Sequence, residues 1–168
     1  TPFITKAYEL EELQSPQVSW AKKNSSFVWR GATTGLGLRR DYVHVLAPHY
    51  DVRFTNIVQG KTRWVTPREQ YMGRRYHPHE ILAYKYVLSF EGNDVATNLK
   101  WLMAQDVVIV MPTPTKETWL MEGLLKPFVH YVPFDDVSSH ATLLEWLRSH
   151  DEECRRIIDN ANAWVCLL

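Results

Sequence analysis

The chain has 168 residues, with 19 Lys and Arg balanced by 19 Asp and Glu, so its formal net charge is zero. This length fits one domain with a sizeable hydrophobic core. The sequence has no apolar run of about 18 residues and opens on no signal-peptide pattern, so we expect no membrane-spanning segment and no export. Cys154 and Cys166 lack the spacing of a metal site or a disulfide framework, which favours core or interface thiols.

The charges are unevenly distributed along the chain. Residues 1–90 carry 13 Lys and Arg against 7 Asp and Glu, a net charge of +6, whereas residues 91–168 carry 6 against 12, a net charge of −6. The basic half indicates a phosphate, a nucleic acid or an anionic membrane surface as partner, with a solvated mixed surface as the alternative.

Apolar runs and helical spacings alternate along the chain. Short β-branched and aromatic runs predict strands near residues 26–29, 51–57, 86–90, 106–111 and 128–134. Apolar stripes predict helices on Leu38, Tyr42, Val45 and Leu46; on Val95, Leu99, Leu102 and Met103; and on either side of His150 and Asp151. Shorter helices are predicted within 77–86 and 112–127, and a helical turn is predicted to start at Thr66 and Pro67.

This alternation predicts an α/β fold, a Rossmann-like parallel sheet with helices on both faces, because a parallel connection needs a crossover. We expect residues 1–24 to be a linker or a connection between lobes, and residues 25–168 to be the domain. Ligands of such sheets bind outside the carboxyl ends of the strands.

Three turns lie at that edge of the predicted sheet. Residues 30–35 offer a guanidinium and two hydroxyls, which suit a diphosphate. Residues 92–97 lead into a helix, where Asp94 is predicted to cap and the N–H groups of residues 95–97 to face an anion. Residues 112–115, followed by Glu117, form the third. The alternative for the second turn is that Gly92 only closes it and Asp94 only caps.

Other motifs are weaker or absent. The sequence lacks the third glycine of the dinucleotide fingerprint, the Walker pattern and the Gly-x-Ser-x-Gly elbow. His77 and His79 have no nearby third ligand, which favours surface histidines over a metal site. His130, within a predicted strand, is interpreted as a buried, hydrogen-bonded histidine, with ligand contact as the alternative.

Four blocks, in order, resemble those of the CAP10-like glycosyltransferases, glycosyltransferase family 90. They are "FVWRGATTG" followed by Arg39 or Arg40, "KYVLSFEGNDVATNLKWLMAQDVVIVMP", "ETWLMEGLLKPFVHYVPF" and "LLEWLRSHDEECRRIIDNANAWV". The family includes bacterial lipopolysaccharide-modifying glucosyltransferases, fungal capsule xylosyltransferases and animal protein O-glucosyltransferases. "EGNDVATNLKW" is similar to the bacterial lipopolysaccharide branch.

The resemblance implies the C-terminal, donor-binding lobe of a two-lobed GT-B enzyme. Such an enzyme transfers a sugar, glucose or xylose, from a UDP-sugar to a lipopolysaccharide, another glycan or a protein hydroxyl, with inversion and without a metal or other cofactor. It also implies a cytoplasmic protein with peripheral contact at the inner membrane, or a secretory-pathway lumenal protein in a eukaryote.

The resemblance also implies the donor-binding residues. Asn98 stands where the animal members have an arginine that contacts the diphosphate. No stretch matches the catalytic base, which is expected in the other lobe. The implied donor-binding residues are Arg30, Gly31, Thr34, Arg39, Gly92, Asn93, Asp94, Val95, Ala96, Thr97, Asn98 and Glu117.

Two other functions compete with this one. A non-catalytic nucleotide-sugar-binding module would keep the fold and lack the catalytic lobe. A nucleic-acid-binding domain would use the basic segment 53–75, but no known nucleic-acid motif supports it, so we expect no nucleic-acid partner.

Overall fold

A computed structural model of the protein describes residues 18–168, and its strands form one five-stranded sheet. Among these residues, no helix is long and apolar enough to cross a bilayer. Most of the predicted linker over 1–24 lies outside the described residues. The strands are β1 (Asn24–Ala32), β2 (Asp51–Asn56), β3 (Tyr84–Leu88), β4 (Val108–Met111) and β5 (Val132–Pro133).

All neighbouring strands are parallel, in the order β2-β1-β3-β4-β5. Val28 pairs with Asp51 on one side of β1 and with Val87 on the other, which places β1 and β3 at the centre. The carboxyl ends of all five strands therefore lie along one edge of the sheet. The predicted Rossmann-like parallel sheet is confirmed.

Helices and short 3₁₀ turns connect the strands. The helices are α1 (Leu38–Leu46), α2 (Arg68–Tyr71), α3 (Pro78–Ile81), α4 (Leu99–Leu102), α5 (His140–Ser149) and α6 (Asp151–Cys166). Pro78 occupies the first position of α3, where its missing N–H costs no helical bond, and Glu80 accepts the backbone N–H of His77 over 2.8 Å. The predicted break between two C-terminal helices is confirmed at His150.

Hydrophobic side chains fill both faces of the sheet. On one face, Phe27 and Tyr86 pack with residues of α1, α5 and the first half of α6. On the other face, Val28 and Val87 pack with α4 and with Ala161 of α6. The long α6 thus contributes to both layers, and the predicted coverage of both faces is confirmed.

Three details of the predicted elements are wrong. The buried face of α1 is rotated relative to the predicted one, because Val43 is fully buried whereas Val45, predicted to be on the apolar face, is 36% exposed. The fifth strand has only two residues, since Phe128 adopts a left-handed φ of 61° and the backbone turns before Val132. The helix expected from about residue 95 begins only at Leu99.

Candidate functional site: three clefts around the carboxyl ends of the strands

The loops after β1 and β3 approach each other closely. A Cβ atom added to Gly92 would overlap the hydroxyl oxygen of Thr34 and lie 3.4 Å from Cζ of Arg39. Gly35 has a φ of 96°, and a Cβ there would lie 3.1 Å from the carbonyl carbon of Gly92. The glycines at 35 and 92 therefore let the two loops meet at the edge where parallel sheets bind ligands.

Arg39, in the first turn of α1, forms hydrogen bonds to the backbone at the start of both loops. Its Nη1 donates to the Ala32 carbonyl over 3.0 Å and its Nη2 to the Phe90 carbonyl over 2.9 Å. Its Nε is buried with no hydrogen-bond partner, and desolvation lowers the pKa of the guanidinium to about 10. Among residues 18–168 no carboxylate pairs with it, so Arg39 is a desolvated cation suited to an added anion.

A cleft of about 360 Å³, which we call the β1–β3 cleft, opens between the two loops. The structure brings together here all but two of the predicted donor-binding residues. Its lining comprises Trp29, Arg30, Gly31, Ala32, Thr34, Arg39, Gly92, Asn93, Asp94, Val95, Thr97 and Asn98.

The two remaining predicted residues lie elsewhere. Ala96 is buried and lines a neighbouring cleft. Glu117 is exposed and lines neither of these two clefts. Its carboxylate lies near Gly123, since a Cβ atom added to that glycine would be 3.5 Å from Oε1 of Glu117.

Asp94 does not cap a helix, which corrects the sequence interpretation. Its Oδ1 accepts the N–H of the next residue, Val95, over 2.8 Å, and α4 begins four residues further on with Asn98 at its N-cap position. The N–H groups of residues 95–97 therefore belong to an irregular turn. The turn holds a buried residue, Ala96, which anchors it against the core, and this anchoring displaces the helix start toward Leu99.

Asn98 supports the end of β3. Its Oδ1 accepts the hydroxyl of Ser89 over 2.9 Å, and its Nδ2 donates to the carbonyl of Leu88 over 3.2 Å. The amide of Asn98, at the position where the resemblance implies an arginine in the animal members, thus bonds to the backbone and a side chain at the end of β3.

Arg30 is held by a carboxylate on the neighbouring strand. Its Nη2 lies 2.6 Å from Oδ1 of Asp51, and the ring of Tyr76 lies 4.0 Å from its Cζ. Its other donors reach the carbonyls of Trp29, Asp51 and Arg74 over 3.0 Å each. At most one of its five N–H groups is left for a ligand.

A second cleft of about 600 Å³, the β3–β4 cleft, lies on the other side of Gly92 and Val95, which line both. It extends from the start of α1 to the loop after β4. Its lining comprises Leu36, Gly37, Leu38, Arg40, Asp41, Tyr42, Ser89, Glu91, Gly92, Val95, Ala96, Leu99, residues 111–116, Glu122 and Asp135.

Three carboxylates hold the loop after β4 against this cleft. Each accepts both the backbone N–H of a threonine, over 2.7–2.8 Å, and the hydroxyl of the same threonine, over 2.5–3.0 Å. The pairs are Thr113 with Asp135, Thr115 with Glu91, and Thr118 with Glu122. Two-point contacts of this kind fix the loop in position.

Sequence reasoning selected the third turn but missed these carboxylates. Glu122 is 3% exposed, an unusual burial for a glutamate, and the threonine four residues before it was the available signal. Glu91 and Asp135 directly follow the third and fifth predicted strands, so their position at the carboxyl edge was also readable from the chain.

The three histidines considered in the sequence analysis lie in two different environments. The rings of His77 and His79 stack with centroids 5.6 Å apart at the start of α3. His130 lies in the turn before β5, where its Nδ1 accepts the N–H of Lys126 over 2.9 Å. Within residues 18–168, no group of three or more His, Cys, Asp or Glu side chains is placed to hold a metal ion.

The chain is similar to known proteins of one family. The family model described as "Glycosyl transferase family 90" matches residues 4–167. The "O-glucosyltransferase LpsA" of Dichelobacter nodosus is 47% identical over 85 residues, covering 50% of this chain and 27% of LpsA. "Protein O-glucosyltransferase 2" of Danio rerio is 35% identical over 80 residues, covering 46% of this chain and 16% of that protein.

Longer matches occur to viral proteins. "Uncharacterized protein 035R" of Invertebrate iridescent virus 3 is 30% identical over 163 residues, covering 85% of this chain and 15% of the viral protein. The chain therefore spans about a quarter or less of the length of these curated relatives.

One solved structure matches the chain at low similarity. It is the C-terminal domain of a glycosyl transferase group 1 family protein, LpcC, from Francisella tularensis, with a TM-score of 0.49 and 12% identity. The match covers 88% of this chain and 87% of that domain. Because the family model spans nearly the whole sequence and the four blocks occur in order, the chain belongs to glycosyl transferase family 90.

Proposed function

We propose that this chain is the donor-binding lobe of a glycosyltransferase that uses a UDP-sugar. In this proposal the diphosphate lies in the β1–β3 cleft, and the rest of the donor extends past Gly92 into the β3–β4 cleft. Both cleft volumes, about 360 and 600 Å³, fall in the range of small-molecule sites.

The observation that carries the proposal is the state of Arg39. Its guanidinium is desolvated, has no carboxylate partner among residues 18–168, and lines the β1–β3 cleft beside Thr34 and Gly92. A bound diphosphate would supply the missing counter-charge, and the hydroxyl of Thr34 would add a hydrogen bond. We place the main phosphate contact on Arg39 because most donors of Arg30 are already used.

The chemistry expected of this lobe is stabilisation of the leaving group. As the bond between the sugar and the diphosphate breaks, negative charge grows on the diphosphate. A fixed cation in a site of low dielectric stabilises that charge, and one such donor contributes about 3 kcal/mol in other enzymes. Inversion further requires a base that removes the proton of the acceptor hydroxyl as it attacks from the opposite side.

We assign that base to residues outside 18–168. Of the carboxylates lining the two clefts, Glu91, Glu122 and Asp135 each accept two hydrogen bonds from a threonine. Asp41 pairs with Arg40 over 2.9 Å, and Asp94 accepts the N–H of Val95. This engagement also supports the alternative, a module that binds the nucleotide sugar without transferring it.

The acceptor is proposed by similarity. The names of the bacterial and zebrafish relatives support glucose as the sugar, and the zebrafish name supports a protein hydroxyl as acceptor. A lipopolysaccharide or another glycan is proposed from the resemblance of "EGNDVATNLKW" to the bacterial branch. Xylose remains the alternative sugar. No metal or other cofactor enters the proposal.

UDP binding tests the proposal. Titration of the protein with UDP, followed by calorimetry or NMR, is expected to give saturable binding in the millimolar range or tighter. Arg39→Lys keeps the charge and tests the planar two-point contact, whereas Arg68→Ala removes an exposed arginine outside the clefts and is the matched control. Unchanged UDP affinity in Arg39→Lys and Arg39→Ala would reject the assignment of Arg39.

Incubation of the chain, joined to the rest of the enzyme, with UDP-glucose and an acceptor separates the two functions. The binding module releases no UDP even with acceptor present, whereas the transferase does so once the rest of the enzyme is joined to the chain.

A further inference from the structure

A third cleft lies on the sheet face that α4 covers. It has a volume of about 620 Å³ and is bounded by residues 75–81 on one side and residues 97–102 on the other. We call it the α3–α4 cleft. Val52 and Phe54 of β2 face the opposite core, and Thr55 and Asn56 at the end of this strand line the cleft.

The charge of the α3–α4 cleft differs from that of the β3–β4 cleft. Its lining contains two arginines, Arg30 and Arg75, and no aspartate or glutamate. The β3–β4 cleft, in contrast, is lined by four carboxylates and only two cations, Arg40 and Lys116. Two clefts of opposite character, one on each side of the β1–β3 cleft, suit two different ligand groups.

Arg75 supplies the uncompensated charge of this cleft. The charge of Arg30 is balanced by Asp51, and that of the nearby Arg74 by Glu80 over 2.6 Å. Within residues 18–168, Arg75 forms no ion pair, and its side chain is exposed. The cleft therefore presents one cation that is free to meet an incoming anion.

The floor of the cleft is held rigidly. The hydroxyl of Tyr76 donates to Oδ2 of Asp51 over 2.5 Å, and Tyr84 donates to the same oxygen over 2.8 Å. These bonds, with the ion pair to Arg30, lower the pKa of Asp51 despite its partial burial. The hydrogen bond thus holds Tyr76 in place between Arg30 and Arg74. Trp101 adds an aromatic wall to the cleft, and such a mixture of aromatic and polar groups is expected of a small-molecule site.

The α3–α4 cleft joins the β1–β3 cleft directly. Trp29, Arg30, Gly31, Thr97 and Asn98 line both. A molecule in the α3–α4 cleft would therefore lie next to the diphosphate that we place beside Arg39.

We propose that the α3–α4 cleft binds an oxyanion, a phosphate or a carboxylate, carried by a sugar of the acceptor. The inference rests on the proposed transfer function, because only then does a second saccharide approach the donor. Arg75 binds the oxyanion, and Trp101 packs against the sugar ring. An anionic acceptor also fits the net positive charge of residues 1–90.

The test compares three sugars that differ in charge. The protein, saturated with UDP, is titrated with glucose, glucose 6-phosphate and glucuronate, and binding is followed by NMR of the Trp101 indole and the Thr97 amide. We expect one or both anionic sugars to bind about tenfold more tightly than glucose, as one charge-assisted contact provides. The tighter of the two identifies the anion as phosphate or carboxylate.

Variants locate the contact. Arg75→Ala is expected to remove the preference for the anionic sugar, whereas Arg63→Ala, an exposed arginine outside the cleft, is expected to keep it. Equal affinity for all three sugars, or full preference in Arg75→Ala, would overturn the inference. Loss of sugar binding as UDP is added would also overturn it, since the sugar would then occupy the donor site.

UDP affinity of Arg75→Ala keeps the two proposals separable. Arg75→Ala is expected to keep normal UDP binding while it loses the anion preference. In the unmodified protein, normal UDP binding with no anion preference contradicts only the acceptor site. Absence of UDP binding in the unmodified protein contradicts the donor site, while the anion titration without UDP still reports on Arg75.

Discussion

The hydroxyl group of Thr34 lies directly against the α-carbon of Gly92, so the loop after β1 and the loop after β3 touch at a point with no room for a Cβ atom. The guanidinium of Arg39 lies beneath the same point and donates to the ends of both loops. One threonine, one glycine and one arginine thus define the β1–β3 cleft, although they come from distant positions in the sequence.

Gly92→Ala should weaken both UDP binding and the stability of the fold. The added methyl would push away the hydroxyl of Thr34, whose Cβ lies only 3.1 Å from the new atom, and would crowd Arg39. We expect UDP affinity to fall about tenfold and the free energy of unfolding to fall by about 1–3 kcal/mol, as for overpacking. Calorimetric titration and urea unfolding measure the two effects.

Gly123→Ala is the matched control for that substitution. A Cβ at Gly123 would have its closest neighbour at 3.5 Å, an ordinary van der Waals distance. Both UDP affinity and stability should stay near those of the unmodified protein. Equal UDP affinity in the Gly92 and Gly123 variants would show that the Thr34 contact has no part in binding.

Replacement of Arg30 should lower the free energy of unfolding. The side chain of Arg30 is 10% exposed and that of Asp51 27%, so Arg30→Met leaves a largely desolvated carboxylate with only Tyr76 and Tyr84 as partners. We expect a loss of about 3 kcal/mol in the free energy of unfolding. Arg30→Met combined with Asp51→Asn should lose less than the sum of the two single changes. Strict additivity in this double-mutant cycle would argue that the pair does not interact.

The side chain of Asn98 should stabilise the fold through its two hydrogen bonds. Asn98→Ala leaves the carbonyl of Leu88 and the hydroxyl of Ser89 without their partner, at a cost of about 1–3 kcal/mol. Asn93→Ala removes an exposed amide five residues earlier and should cost less than about 0.5 kcal/mol. Thermal unfolding of the two variants provides the comparison, and equal midpoints would contradict the role given to Asn98.

The protein should lose stability as the pH falls below about 6.5, the value of histidine in an unfolded chain. Burial, with a contribution from Lys126, lowers the pKa of His130; burial, with a contribution from His49, lowers that of His140. Below pH 6.5 the unfolded chain therefore binds more protons than the folded one, and the free energy of unfolding decreases with decreasing pH.

Protonation would also break a specific bond at His130, because its Nδ1 accepts the N–H of Lys126. Urea unfolding at about pH 7.5 and 5.5 measures the effect. The variant His130→Gln combined with His140→Gln should depend less on pH than the unmodified protein, whereas His79→Gln, at an exposed position, should not. An identical pH dependence in all three proteins would contradict this assignment.

Much of the fold was predictable because strands and crossovers leave strong local patterns. The runs around Val28, Val87 and Val108 are apolar on both faces, as buried parallel strands require, and the parallel direction follows once each is joined by a crossover. Their carboxyl ends then had to share one edge, which is why most of the predicted site residues line one cleft.

The errors arise where tertiary contacts override local pattern. The segment 128–131 alternates like a strand, but it turns at Phe128, where the backbone N–H donates to the carbonyl of Tyr131 over 2.7 Å. Asp94 has the sequence context of a helix cap, yet the burial of Ala96 keeps the turn irregular. Neither contact is visible in residue spacing.

The charge partners could not be predicted either. Arg30 and Arg39 look equivalent in the sequence as basic residues near the first turn. Only the folded chain brings Asp51 beside Arg30 and leaves Arg39 without a carboxylate among residues 18–168. That difference moves the expected phosphate contact from the first arginine to the second.

The most direct test of the account is therefore UDP titration of the unmodified protein beside Arg39→Ala and Arg68→Ala, with the thermal unfolding of each variant recorded to verify folding. We expect saturable UDP binding that is kept in Arg68→Ala and weakened about tenfold or more in a folded Arg39→Ala. Absence of binding at millimolar UDP, or equal affinity in the two variants, would contradict the account.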